Sequence, residues 1–135
     1  MLEDYYFDTS IWLDLFEKRG ENGVYAYRLL VKIIGEDSVV YYSNMVMKEL
    51  KYLGYSYKEI HLAFNLIPPC KLGKIHIFLD EKEEANKIAK SRKIPFGDAI
   101  HAILCRDNNL QLISRDKDFE KTKDLTTAKK PEEII

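Results

Sequence analysis

Apolar residues recur along the chain in two rhythms, short unbroken runs and stripes spaced by three and four, and their alternation predicts an α/β protein. Tyr5-Tyr6-Phe7 is a short apolar run ending at Asp8-Thr9-Ser10, after which Ile11, Trp12, Leu15 and Phe16 return at helical spacing until Gly20, giving a strand and then a capped helix. Val24, Tyr27, Leu30, Val31 and Ile34 form a second helical stripe closed by Gly35, and Val39-Val40-Tyr41-Tyr42 follows as a β-branched and aromatic strand. Ser43-Asn44 offers a cap ahead of Val46, Leu50 and Leu53, and after Gly54 a further stripe of Ile60, Ala63, Phe64 and Ile67 runs up to Pro68-Pro69.

The second half repeats the alternation. Ile75 to Leu79 predicts a third strand and Glu81 to Arg92 an amphipathic helix with Ala85, Ile88 and Ala89 inward. Phe96 to Cys105 is almost wholly apolar and reads as a buried helix ending near Asn108-Asn109. Leu110 to Ser114 is a fourth strand, Asp116 to Lys121 a short helical turn, and Leu125 to Ala128 a last edge strand. Strands alternating with helices imply a largely parallel sheet covered on both faces, one domain over residues 1–135.

Ligands in such folds bind outside the carboxyl ends of the strands, and the polar residues there are mostly acids. Asp8 follows the first strand; Asp116 and Asp118 follow the fourth. Asp8 reads equally well as a helix cap. Glu49 shares the stripe of Val46, Leu50 and Leu53, where an unpaired carboxylate is expensive; the plain alternative is an edge position paired with Lys48 or Lys51. Asp98 is the only charged residue between Lys93 and Arg106, in the first turn of the most apolar helix, where the helix dipole accounts for an acid but not for one so surrounded.

Carboxylates drawn to one edge repel unless protonated or bridged by a cation. An all-oxygen set suits Mg²⁺ or Mn²⁺, and those ions activate water and stabilise charge on phosphate, which makes metal-dependent phosphodiester hydrolysis the natural expectation. His61, His76 and His101 are too scattered for a zinc site, and Cys70 and Cys105 make no disulfide framework. With no signal peptide at the start and no apolar run long enough to span a bilayer, a cytoplasmic protein without membrane contact is expected.

The order of these motifs resembles the PIN domain family, and in particular its small VapC-type toxin ribonucleases. The resemblance rests on Tyr6-Phe-Asp8-Thr-Ser-Ile-Trp-Leu13, Ser43-Asn-Met-Val-Met-Lys-Glu49-Leu50, Asp98-Ala-Ile-His-Ala102 and Ile113-Ser-Arg-Asp116-Lys-Asp118-Phe119, and it spans essentially the whole chain. It implies a three-layer α/β/α sandwich around a parallel sheet of about five strands. It also implies a catalytic quartet, Asp8, Glu49, Asp98 and Asp116, that holds one or two Mg²⁺ or Mn²⁺ ions with Asp118 assisting. Ser10 and Ser114 match supporting hydroxyl positions. The activity implied is cleavage of single-stranded RNA by metal-activated water, in the toxin of a toxin–antitoxin pair that forms a homodimer and is silenced by a small antitoxin protein. Arg115 departs from the small polar residue common before the last acid. His101 matches a frequent family histidine but reads as a packing residue. Alternatives are a nuclease for rRNA or tRNA processing, or a catalytically silent domain that binds RNA or protein.

On the substrate side Arg115 ranks first among basic residues by its place beside Asp116, followed by Lys18-Arg19, Lys48, Lys51 and Arg92-Lys93; Tyr52, Tyr55 and Tyr57 interleave with Lys51 and Lys58. The segment Tyr52 to Ile67 is the expected protein-facing surface. Composition changes the picture only at this point. The chain has 21 basic and 22 acidic residues, a net charge of −1, which by itself speaks against a phosphate partner. With the five metal-site acids set aside, 17 acids face 21 basic residues, a mildly basic remainder compatible with RNA.

Overall fold

The computed structural model describes residues 3–135; Met1 and Leu2, the first residues of the domain expected over 1–135, lie outside that range. Four parallel strands, β1 (Tyr5–Phe7), β2 (Val40–Ser43), β3 (Leu72–Ile75) and β4 (Gln111–Ile113), form a sheet in the order β3-β2-β1-β4. Tyr5 pairs with Val40 on one side and Gln111 on the other, which makes β1 a central strand. All three of its residues are buried, and because successive side chains point to opposite faces, the sheet is covered on both.

Six helices provide that cover: α1 (Thr9–Glu17), α2 (Gly20–Gly35), α3 (Asn44–Tyr52), α4 (Tyr57–Phe64), α5 (Leu79–Arg92) and α6 (Phe96–Asn108). Their starts follow the capping residues in the sequence. Asp8 accepts from the Ile11 amide, Ser43 from Met45, and Ser56 closes a reciprocal capping box with Glu59. Trp12, Phe16 and Phe64 cluster under α1 and α4, with the Trp12 and Phe64 rings 4.8 Å apart. Helix α6 is buried from Asp98 through Cys105, as its apolar run predicts.

Two expectations are corrected. The third strand lies at Leu72–Ile75, three residues before the apolar run at 75–79, because Gly73 has no side chain and the Tyr41 ring of the neighbouring strand occupies the space a Cβ would fill. The apolar Phe78 and Leu79 instead lead into α5, whose start is fixed by Glu81 accepting from the Phe78 amide at 2.9 Å. The fifth, edge strand at Leu125–Ala128 is absent among the described residues, and the sheet has four strands. The tail meets β4 through one parallel bridge, Ile113 to Lys129, closed by Ser114 N–H to Lys129 O and Lys129 N–H to Leu112 O, both 3.0 Å, and through the Gln111 side-chain amide, which donates to Thr127 O at 2.9 Å.

Candidate active site

Parallel pairing sends the carboxyl ends of β1, β2 and β4 to one edge of the sheet, and the chain turns into a helix or helical turn after each. Asp8 leaves β1, Glu49 lies in the helix that follows β2, and Ser114, Asp116 and Asp118 follow β4. Asp98, in the first turn of α6, completes the set.

Asp8 is buried and fully engaged. Ser10 donates to Oδ1 and Ser114 to Oδ2, each at 2.6 Å, and the Ile11 amide adds a 3.3 Å contact. It is thus both the helix cap and a member of the acidic edge. Burial raises its pKa, against the lowering pull of these donors. Ser114 has a second duty, accepting from the Asp116 amide at 2.9 Å, so one hydroxyl ties the ends of β1 and β4 together.

Glu49 reaches neither Lys48 nor Lys51. Its Oε1 accepts from Thr9 at 2.8 Å and from His101 Nε2 at 2.7 Å. Burial pushes its pKa up, but the His101 and Thr9 contacts prevail and hold the carboxyl below the usual glutamate range. Gly97 is what makes room for it: a Cβ there would stand 3.0 Å from Glu49 Oε2. His101, read from sequence as a packing residue, is buried and satisfied, but by site partners: Nε2 meets Glu49, and Nδ1 lies 2.7 Å from the Tyr6 hydroxyl. Thr9, Gly97, His101 and Tyr6 are the site residues that sequence reading missed. The available signal was His101 standing three residues after Asp98, on the same side of one helix.

Asp98, Asp116 and Asp118 each place a carboxylate oxygen within 4.8 Å of the others, the one such group of possible metal ligands among the described residues. Asp116 Oδ1 accepts from the Asp118 amide. Asp98 Oδ2 is buried with no partner. Burial first, then the neighbouring charges of Asp116, Asp8 and Glu49, push the Asp98 carboxyl up to about 8. A carboxylate with one buried oxygen lacking a donor, clustered with two further carboxylates, is the arrangement a hard divalent cation satisfies.

Three of the basic residues named from sequence, all arginines, are already engaged. Arg115 grips Glu132 with both terminal nitrogens (2.7 and 2.9 Å) and lies 3.5 Å from the buried Asp14. Arg92 is bidentate to Asp124, and Arg19 pairs with Glu17. Lys48 and Lys51, by contrast, line an open groove of about 870 Å³ that begins at Thr9, Ser10 and Glu49 and runs to Tyr52 and Tyr57. The Lys51 ammonium sits 3.6 Å above the Tyr57 ring, and Tyr52 is 92% exposed. Tyr55 packs on Phe16 and donates to Glu17 instead.

The chain belongs to the PIN domain family, a family of nucleases whose model matches residues 5–125. Its fold is shared with a toxin–antitoxin complex from Klebsiella pneumoniae, at 22% identity and TM-score 0.66, covering 95% of this chain and 98% of that one. It is also shared with VapBC2 from Rickettsia felis bound to a DNA fragment from its promoter (16%, TM-score 0.69, 93% and 97% covered). A third likeness is to the sarcin-ricin loop cleaving toxin VapC20 from Mycobacterium tuberculosis (23%, TM-score 0.68, 88% and 95%). No curated protein matches the chain. Among the described residues, no helix is long and apolar enough to cross a membrane.

Proposed function

We propose that this chain is a divalent-metal-dependent endoribonuclease of the VapC type, a single nuclease domain acting on single-stranded RNA as the toxin of a toxin–antitoxin pair. The observation that carries the reading is Asp98, a carboxylate with one buried, unpartnered oxygen that clusters with Asp116 and Asp118 and feels the charges of Asp8 and Glu49. The donor set fits Mg²⁺ or Mn²⁺: it consists of carboxylates, with no thiolate and no imidazole in the group. Asp98, Asp116 and Asp118 would hold the ion, with Asp8 and Glu49 completing the acidic wall. When bound, such an ion activates water and stabilises charge building on a phosphodiester.

The residues of the chain supply the frame. Ser10 and Ser114 orient Asp8 and oppose the rise in its pKa that burial causes, while Thr9 and His101 orient Glu49 and favour its ionised form. Lys48 and Lys51 meet the phosphates of a strand lying in the adjoining groove, and Tyr52 offers a face for a base. Arg115, held by Glu132 and Asp14, anchors the Ser114–Asp116 turn. A second groove of about 560 Å³ between α2 and α4 is lined by Tyr27, Leu30, Val31, Ala63, Leu66 and Ile67 and would seat an apolar segment of an antitoxin. That groove borrows part of the segment 52–67 expected to face a protein: Ile60, Phe64 and Ile67 turn inward, while Leu62 and Leu66 are exposed. A homodimer and a cytoplasmic location are part of this reading.

The test is incubation of purified protein with single-stranded RNA in Mn²⁺, in chelator, and as Asp8→Asn or Asp98→Asn. Cleavage is expected only for the wild type with metal; cleavage indifferent to chelator and to both substitutions sinks the reading. Growth arrest on expression, relieved by a co-expressed partner that co-purifies at fixed stoichiometry, supports the toxin assignment, and harmless expression of an active nuclease points to RNA processing instead. Molar mass in solution tests the dimer.

A further inference from the structure

Glu49 stands at the end of a line of buried polar side chains that runs back into the sheet. Ser43 Oγ lies 2.8 Å from the Tyr6 hydroxyl, the hydroxyl 2.7 Å from His101 Nδ1, and His101 Nε2 2.7 Å from Glu49 Oε1. Ser43, Tyr6 and His101 are all at most 1% exposed. An ionised carboxylate can only accept, so Nε2 donates to it whether the ring is neutral or cationic. In the neutral ring Nδ1 is then an acceptor, and the Tyr6 hydroxyl donates to it. That hydroxyl in turn accepts from Ser43, whose oxygen also accepts from the Met45 amide at 3.2 Å. Every link is satisfied with the donors aligned in one direction, ending on the carboxylate. Aligned chains of this kind polarise one another and are costly to leave incomplete in a low-dielectric interior.

The same contacts decide which oxygen of Glu49 is free. His101 and Thr9 both address Oε1, while Oε2 lies over Gly97, the residue before Asp98. The carboxylate is therefore fixed on one oxygen and open on the other, beside the acid cluster. Packing alone would be served as well by a phenyl ring at 6 and an aliphatic side chain at 101, without burying the three polar atoms those positions carry.

We infer that His101 is the positioning residue of Glu49, backed by Tyr6 and Ser43, and that this chain presets the free oxygen of Glu49 toward a divalent cation at the acid cluster. The inference rests on the metal-site reading above. Side chains that orient ligating groups in this way are typically worth about 10- to 100-fold in metal affinity.

The test measures Mn²⁺ dissociation constants by electron paramagnetic resonance for the wild type, His101→Asn, His101→Gln, Tyr6→Phe and Asp98→Asn, with thermal unfolding beside them. An asparagine amide can replace Nδ1 but falls short of Glu49; a glutamine amide reaches the place of Nε2. His101→Asn is expected to weaken Mn²⁺ binding by about 10- to 100-fold, Tyr6→Phe by less, and His101→Gln to recover most of the loss. Wild-type binding that Asp98→Asn abolishes and the chain variants leave unchanged overturns the inference and spares the metal reading; a wild type that binds no Mn²⁺ overturns both. Should His101→Asn fail to fold, Tyr6→Phe decides, together with nitrogen chemical shifts of the wild-type imidazole: a protonated, hydrogen-bonded Nε2 is expected, and a bare Nε2 overturns the inference.

Discussion

The acidic edge has two unlike halves. In one, Asp8 and Glu49 receive hydrogen bonds from Ser10, Ser114, Thr9 and His101, all at 2.6 to 2.8 Å. In the other, Asp98 has a buried oxygen with no donor and faces Asp116 and Asp118. Where the chain supplies donors, they offset the cost of burying the charge, prevailing at Glu49 and only in part at Asp8, whose pKa burial still raises. Where it supplies none, the charge must be balanced from outside, by a proton or by a cation. The consequence shows in the directions of titration: Glu49 is held below its ordinary range, while Asp98 is driven up to about 8.

The sharpest way to break this contrast is Asp98→Asn. The substitution removes a carboxylate whose charge the chain leaves to a cation or a proton to balance, so cleavage should fall by at least about 10²-fold, in line with the loss of one group that stabilises transition-state charge, while the metal-free protein becomes more stable. Assays of cleavage and of thermal unfolding in chelator check the two halves of this statement. A drop in metal-free melting temperature would show that Asp98 is a structural acid.

Next in size is the dependence on pH and metal. The Asp98 carboxyl is raised from 3.8 to about 8, so between those values the folded protein holds a proton that the unfolded chain has released. Its contribution to stability is complete below 3.8 and is lost as pH rises toward 8. The metal-free melting temperature is therefore expected to fall from pH 6 to pH 8.5, whereas saturating Mg²⁺, which favours the ionised carboxylate, flattens the slope and gives its largest stabilisation at the upper end. The glutamate and aspartate groups held low, Glu49 among them, titrate below this window and do not blur it. A metal-induced shift that shrinks with rising pH would contradict the model.

A smaller effect should come from the donor-rich half. Gly97→Ala puts a Cβ 3.0 Å from Glu49 Oε2, and the carboxylate, pinned on Oε1, must give way by a few tenths of an ångström. About a tenfold loss of cleavage is expected for such a displacement, with less change in folding stability, because alanine is favoured over glycine inside a helix. Unchanged activity would show that the free oxygen of Glu49 is not part of the reacting centre.

The acids of both halves were legible in the sequence because each interrupts a pattern: Asp8, Asp116 and Asp118 stop strands, Glu49 sits in an apolar stripe, and Asp98 in an apolar helix. Their partners were not, since Ser114 to Asp8 and His101 to Glu49 join residues 106 and 52 positions apart, and nothing in local periodicity carries such distances. The strand at 72–75 escaped for a related reason. Gly73 is a poor strand former, and its value lies in the Tyr41 ring packed against it from another strand, a contact that overrides local preference. Arg115 ranked first for substrate by proximity to Asp116, because Glu132 is invisible as a partner until the tail folds back along β4.

Arg115 lies on the seam between the halves, flanked by Ser114 of one and Asp116 of the other, and supplies the finest test. If its guanidinium anchors this turn, Glu132→Gln removes a partly buried ion pair and costs about 0.5–1 kcal/mol of stability, with KM for RNA unchanged. If Arg115 serves substrate instead, releasing it from Glu132 frees a cation beside the acids, and KM should fall with increasing salt sensitivity. Asp14 favours the first outcome. It is buried, its Oδ2 has no hydrogen bond, and the Arg115 guanidinium 3.5 Å away, with Arg19 at 3.8 Å, is what offsets its charge. An arginine drawn out toward RNA would leave that carboxylate with only the more exposed Arg19, so the pull of Asp14 should keep Arg115 in place even after Glu132 is neutralised.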